Sequence, residues 1–261
     1  IKQGADGTCE FKFKNTGKEP LIISNAKGSC GCTVPTYPKE PIMKGQTGVI
    51  KVHYDTKRVG AFTKTVTINS NAKSDTKVIT IKGVVEATPD GGCIVGCSSG
   101  SLIGGDKTEN CFLTPGGVHT KDYWVVKLNS TGDIEWQNTI GGTGDDYIQA
   151  IRQTPDGGYI LGGYSFSKIS GDKTEFNIGG SSYWIVKIDA VGNIMWQNTI
   201  DGVNEDKLTS LDLTADGGYI LGGYSKSGIS GEKTEACFNN SFDYWIIKVN
   251  ATGIPEWQNT I

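Results

Sequence analysis

Cysteine and histidine are where chemistry would first be sought in this 261-residue sequence, which holds seven of one and two of the other. Cys30 and Cys32 flank a single glycine in "SCGCT" (29–33). A metal or redox site there would draw on His53 or Cys9. Yet Cys-x-Cys with one distant histidine lacks the four-ligand spacing of a zinc site, and it is not the Cys-x-x-Cys redox motif. A disulfide or a packed thiol is the favoured reading. Cys93 and Cys97 stand four apart on a strand-like segment, so their Cα atoms are about 13 Å apart at a rise of about 3.3 Å per residue. They cannot bond each other. Cys111 and Cys237 hold matching positions in "KTENCF" and "KTEACF". Each is a candidate disulfide or thiol whose neighbour the sequence does not identify.

A nucleophile needs a base beside it. His53 and His119 lie in different parts of the chain, and neither stands in a recognisable partner motif. No phosphate loop or dinucleotide fingerprint occurs, because the glycines punctuate hairpins and do not open helices. The acid pairs Asp145–Asp146 and Glu205–Asp206 recur at equivalent places and are read as strand starts. "DAVGN" and "GDKTE" hint at calcium without the alternating oxygen ligands of a calcium loop. No catalytic residue, metal ligand or cofactor is expected, calcium being the one ion with any signal.

The residues that could position such groups fall into two pieces of different composition. Residues 1–86 carry 14 basic and 7 acidic side chains, whereas 87–261 carry 11 and 21. All six tryptophans lie in the second piece. A domain boundary at 86/87 is expected. The basic first piece alternates its lysines along strands ("KFKFK", "IKVHY"), which reads as a solvated face and not as a nucleic-acid site. No run of about 18 apolar residues occurs, so no membrane helix is expected. Seven cysteines lean toward an oxidising compartment.

The second piece repeats itself. "TPDGGYILGGYS" (154–165) returns as "TADGGYILGGYS" (214–225) and, altered, as "TPDGGCIVGCSS" (88–99). Trp136, Trp196 and Trp257 close each copy in "WQNTI", and Trp124, Trp184 and Trp245 recur in "YW". "GGDKTE", "SGDKTE" and "SGEKTE" complete the unit, and the loop after Glu109 is six residues longer than that after Glu175. Asp-Gly is a strong hairpin signal, and each unit reads as a four-stranded antiparallel meander. Large apolar residues fall on both faces of "YILGGYS", as in a sheet sandwiched between two others. The tryptophans are therefore read as repeat packing, mostly buried against the adjacent sheet, with the terminal one exposed for want of a neighbour. Periods of this length mark propeller blades. The run resembles the sixty-residue, propeller-forming repeats of large secreted Bacteroidota proteins, which implies export by the type IX route. Three blades (about 85–140, 145–200 and 205–261) fall short of the 4–8 of a closed propeller. An open arc is expected, against the competing three-sheet prism with a three-fold axis.

Residues 1–86 read as strands throughout: "FKFKN", "PLIIS", "GVIKVHYD", "FTKTVTINS" and "KVITIKG". Short alternating strands at this spacing suggest an immunoglobulin-like sandwich. The motifs "NTGKEPL", "SCGCT", "GQTGVIKVHYDT" and "GAFTKTVTINSN" resemble a bacterial family of uncharacterised immunoglobulin-like domains related to the MSP, ASPM and hydin modules. That resemblance implies a structural or docking module. No Gly/Ser or Pro linker separates the two pieces, so one continuous strand from Val78 to Thr88 is expected. The whole reads as an all-β, non-enzymatic scaffold or adhesion protein of a bacterial surface. Its expected partners are other surface proteins or further copies of the repeat, with no nucleic acid and no membrane insertion. The alternatives are a carbohydrate-binding module using repeat aromatics, or the non-catalytic part of a larger secreted hydrolase.

Overall fold

A computed structural model describes the backbone of residues 8–54 and 60–261, and within them all side chains but those of Thr8, Cys9, Tyr54 and Asn240. Among the described residues the chain is all-β, with one 3-10 turn at Phe238–Asn240 and no α-helix. Among the described residues no helix is long and apolar enough to cross a membrane. Two compact units divide the chain, residues 1–85 and 86–261.

The first unit holds β1 (Thr8–Lys14), β2 (Ile23–Gly28), β3 (Thr33–Thr36), β4 (Thr47–Tyr54), β5 (Gly60–Ser70) and the start of β6 (Thr76–Ala87). Their antiparallel orders are β1-β4-β3 and β2-β5-β6. Alternation decides the inner faces: Ile50 and Val52 point into the core while Lys51 and His53 are exposed. Ile23, Cys32, Val66, Ile68 and Ile81 complete that core, so both sheets contribute to it. "PLIIS" differs from the expectation. Leu21 makes only an isolated bridge to Ile42, and β2 runs on through the polar "ISNAKG". β6 is unbroken from Thr76 to Ala87, one residue short of Thr88.

The second unit carries the repeats. β10 (Asp146–Gln153), β11 (Tyr159–Ser165), β12 (Ser182–Ile188) and β13 (Ile194–Ile200) form one meander in sequence order. β14 (Asp206–Leu213), β15 (Tyr219–Ser225), β16 (Asp243–Val249) and β17 (Pro255–Thr260) form another. In the first copy β7 (Cys93–Ser99), β8 (Asp122–Leu128) and β9 (Ile134–Ile140) pair in sequence order. Each Asp-Gly-Gly hairpin is built alike. Asp156 accepts from Thr154 Oγ1 and Gly158 N and pairs with Lys187 at 2.9 Å. In the first copy Lys127, with Thr88 and the Gly92 amide, holds Asp90 down to about 2.

A bulge sets how the sheets stack. β10 shifts register between Ile148 and Ala150, and β14 between Leu208 and Ser210. Strict alternation would place residues three apart on opposite faces, and the extra residue returns them to one. Ile148 and Ile151 thus both reach Gly96, where an added Cβ would lie 2.7 and 2.5 Å from their Cδ1 atoms. Leu208 and Leu211 meet Gly162 in the same way, at 3.1 and 2.9 Å. A side chain at either glycine would press on the ends of the next sheet's apolar side chains, which would have to shift. Across the first strands, Arg152 bridges Glu86 at 3.7 Å and Asp212 at 3.1 Å.

The "DKTE" loop and the "WQNT" strand are one buried polar cluster. Lys107, Lys173 and Lys233 are nearly fully buried. Their amines donate to Thr139, Thr199 and Thr260 and lie 5.6, 5.2 and 4.8 Å over the rings of Trp124, Trp184 and Trp245. Glu109, Glu175 and Glu235 accept from the same threonine amides. Gln137, Gln197 and Gln258 accept from the three indoles at 3.0 Å. The oxygen-rich loop read as a calcium hint thus encloses a lysine amine. Removing it strands buried acceptors and opens a cavity. Lys173→Ala is expected to cost the second unit about 2–4 kcal/mol in urea unfolding, and exposed Lys226→Ala about 0.5 kcal/mol or less.

Candidate functional site

Cys30 and Cys32 are joined by a disulfide with Cα atoms 5.2 Å apart. Cys30 is half-buried and Cys32 sits in the core of the first unit. His53 stands on the exposed face of β4, opposite to Val52, whose face packs Cys32. The Cys9 side chain lies outside the described residues. Among the described residues no three His, Cys, Asp or Glu are grouped to hold a metal.

Cys93 is buried opposite Leu128, and Cys97 is half-buried opposite Trp124. Cys111 and Cys237 are free thiols. One contact escaped sequence reasoning: Cys111 Sγ lies 3.3 Å from His119 Nδ1. The six extra residues of the first loop make it, because they form a small hairpin. Leu113 bridges His119, and the Thr114 amide donates to Val118 O across a turn. The histidine that lacked a motif therefore has a thiol beside it. Burial pushes that thiol up, and the Asp122 charge adds to the effect. A thiol so placed stays protonated and is a poor nucleophile. The Cys237 thiol lies 3.4 Å from the Lys226 carbonyl oxygen.

The repeated aromatics divide by position. Trp184 and Trp245 are fully buried, and Trp124 is half-buried. Trp136 and Trp196 are half-buried. One face of Trp136 packs on Gly192 of the next sheet, and its indole donates to Ala190 O at 3.0 Å. Trp196 lies on Gly253 in the same way. Trp257 is 52% exposed.

Between successive sheets one interface is built twice. Tyr123 donates to Trp184 O at 3.3 Å, and Tyr183 to Trp245 O at 3.0 Å. Asn138 donates to Gly192 O and Asn198 to Gly253 O. The third sheet carries the same parts, with nothing over them among the described residues. Tyr244, the counterpart of two fully buried tyrosines, is 70% exposed, and Ile261, the counterpart of buried Ile140 and Ile200, is 60% exposed. The glycine cradle at Gly222 meets only its own Ser210. Gly222, Tyr224, Tyr244 and Ile246 line a groove of ≈ 290 Å³ on this face.

The acid pairs anchor loops. Asp146 and Asp206 start their strands, and each accepts from a backbone amide (Gly142, Gly202) and a serine (Ser167, Ser227). Asp122 accepts from the Phe112 amide at 2.7 Å, and Asp201 from the Ile178 amide at 2.7 Å. Burial lifts Asp122 to about 7, with the Asp146 charge adding to it, and burial lifts Asp146 to about 6. Each folded value exceeds the unfolded one of 3.8. Their contribution to stability is therefore full below the unfolded value and is lost as pH rises through 6 and 7. The urea midpoint of the second unit should fall between about pH 4.5 and about pH 7.5, and Asp122→Asn should flatten that slope. A midpoint that rises across this window in the parent chain contradicts the assignment.

A model of a family described as a protein of unknown function, DUF1573, matches residues 1–85, the first unit of the chain. No curated protein matches.

Proposed function

We propose that this chain is a non-catalytic scaffold of a bacterial outer surface, acting through protein–protein contacts made by the open face of its third repeat. In this reading the first unit is an immunoglobulin-like module and the repeats are propeller-type blades in an open arc. The observation that carries it is the exposure of Tyr244, Ile261 and the Gly222 cradle, whose counterparts in both earlier copies are covered. Burying a large apolar side chain contributes about 1.5–3 kcal/mol, so covering this face is a substantial driving force.

The occupant that fits is a further copy of the repeat. It offers an apolar pair three residues apart on a bulged first strand and a tryptophan carbonyl for the Tyr244 hydroxyl. The first repeat of a second chain fits less well, because Lys82 stands where Ile148 and Leu208 stand. An oxidising, extracellular location is supported by the Cys30–Cys32 disulfide. Exposed Tyr244 and Trp257 favour the second reading, carbohydrate recognition.

The test is a chain extended after Ile261 by a second copy of residues 202–261. Hydroxyl-radical modification of Tyr244 is expected to fall to the level of Tyr123 and Tyr183, and Gly222→Leu is expected to restore it by filling the cradle. Unchanged reactivity of Tyr244 in the extended chain sinks the docking reading. Binding of the parent chain to a glycan array, lost with Trp257→Ala, would establish the carbohydrate reading in its place.

A further inference from the structure

The Cys30–Cys32 disulfide spans one residue, and loop closure explains little of its presence. The stabilisation a cross-link gives through the unfolded chain grows with the length of the loop it closes, and this loop is near the shortest attainable. The turn it crosses is also closed without it: the Thr33 amide donates to the Cys30 carbonyl at 3.1 Å, and β3 begins at Thr33 by pairing with Tyr54. The bond is therefore a poor structural staple.

Its surroundings suit exchange. Cys30, which packs at the edge of the core, is half-buried, whereas Cys32 is 8% exposed, so Cys30 is the more accessible residue of the pair. Both neighbours on the approach side, Ser29 and Gly31, are exposed, and a Cβ built on Gly31 would touch nothing within 4 Å. The Thr33 hydroxyl, itself buried, lies 3.5 Å from Cys30 Sγ and 3.8 Å from Cys32 Sγ. It is placed to donate a hydrogen bond to whichever sulfur leaves as a thiolate. Accessibility and leaving-group stabilisation are the two local factors that govern thiol–disulfide exchange.

We propose that Cys30–Cys32 is a thiol–disulfide exchange centre that accepts two electrons from a dithiol partner. A partner thiolate attacks Cys30 Sγ, forming a mixed disulfide. The Cys30–Cys32 bond breaks, and its electron pair leaves on Cys32 Sγ, which takes a proton from solvent. The partner's second thiolate then attacks its own sulfur in the mixed disulfide and expels Cys30 as a thiolate, which is protonated in turn. The partner dithiol is oxidised to a disulfide, and Cys30 and Cys32 are reduced to two thiols. Atoms and electrons balance without a metal or cofactor.

The experiment uses the full chain equilibrated in glutathione buffers of graded ratio, acid-quenched, alkylated and digested with trypsin. Peptide 28–39 contains this pair and no other cysteine. The pair is expected to open and close with the buffer ratio while the far-ultraviolet circular dichroism of the chain stays constant. Cys32→Ser is expected to accumulate a glutathione adduct on Cys30, and Cys30→Ser about tenfold less on Cys32, following access. A pair that stays closed across the buffer range, a pair that opens only as the circular dichroism collapses, or equal adducts in the two variants each overturns the proposal.

Discussion

A four-stranded sheet with large apolar side chains on both faces cannot stand alone in water, and everything in the second unit answers that constraint. Ile160 on one side of β11 and Leu161 on the other are both fully buried. Only stacking against a sheet on each side achieves this, so each copy is the solvent shield of the next. The sheets approach closely at Gly96 and Gly162, and a bulge brings two apolar residues to bear on each. The stack does not close on itself among the described residues, and the third sheet keeps a bare face.

Stacking leaves the long loops at the rim without apolar cover, and a polar lock holds them. A buried lysine amine costs desolvation, seen in Lys173, whose burial lowers it to about 8. The amine is offset by a threonine hydroxyl, a nearby carboxylate and an indole face, all from the same repeat. Such a network stabilises when every member is satisfied and fails when one is missing. That explains why "DKTE" and "WQNT" travel together along the chain although some thirty residues separate them.

Hairpins and repeat boundaries were legible because Asp-Gly-Gly turns and aromatic alternation act locally. The meander of each copy and the continuous β6 follow from them. What stayed hidden was set by partners distant in sequence. Lys173 reads as solvent-exposed by type, and only the folded loop buries it. Alternation places Ile148 and Ile151 on opposite faces, and the bulge between them leaves no composition signal. His119 gained its thiol neighbour through an inserted hairpin, for which the six-residue length difference was the one clue. Trp136 and Trp196 pack on Gly192 and Gly253, glycines that no local pattern pairs with them. Asn25 and Lys27 in "ISNAKG" carry no strand preference, and pairing with β5 is what makes this segment a strand.

The loop-anchoring carboxylate does not keep one address. In the first copy Asp122 supplies it, and Gly141 opposite leaves room, since a Cβ there would lie 2.1 Å from the Asp122 oxygen. In the second copy Ser182 stands at the former position and Asp201 at the latter, with Ser182 Oγ donating to Asp201 at 2.7 Å. The pair has exchanged charge for volume across the gap while the amide it serves is unchanged. What is inherited from copy to copy is thus a filled space with one carboxyl group, not a residue at a column. A column-by-column comparison of these repeats would score both positions as unconstrained, although neither can change without the other.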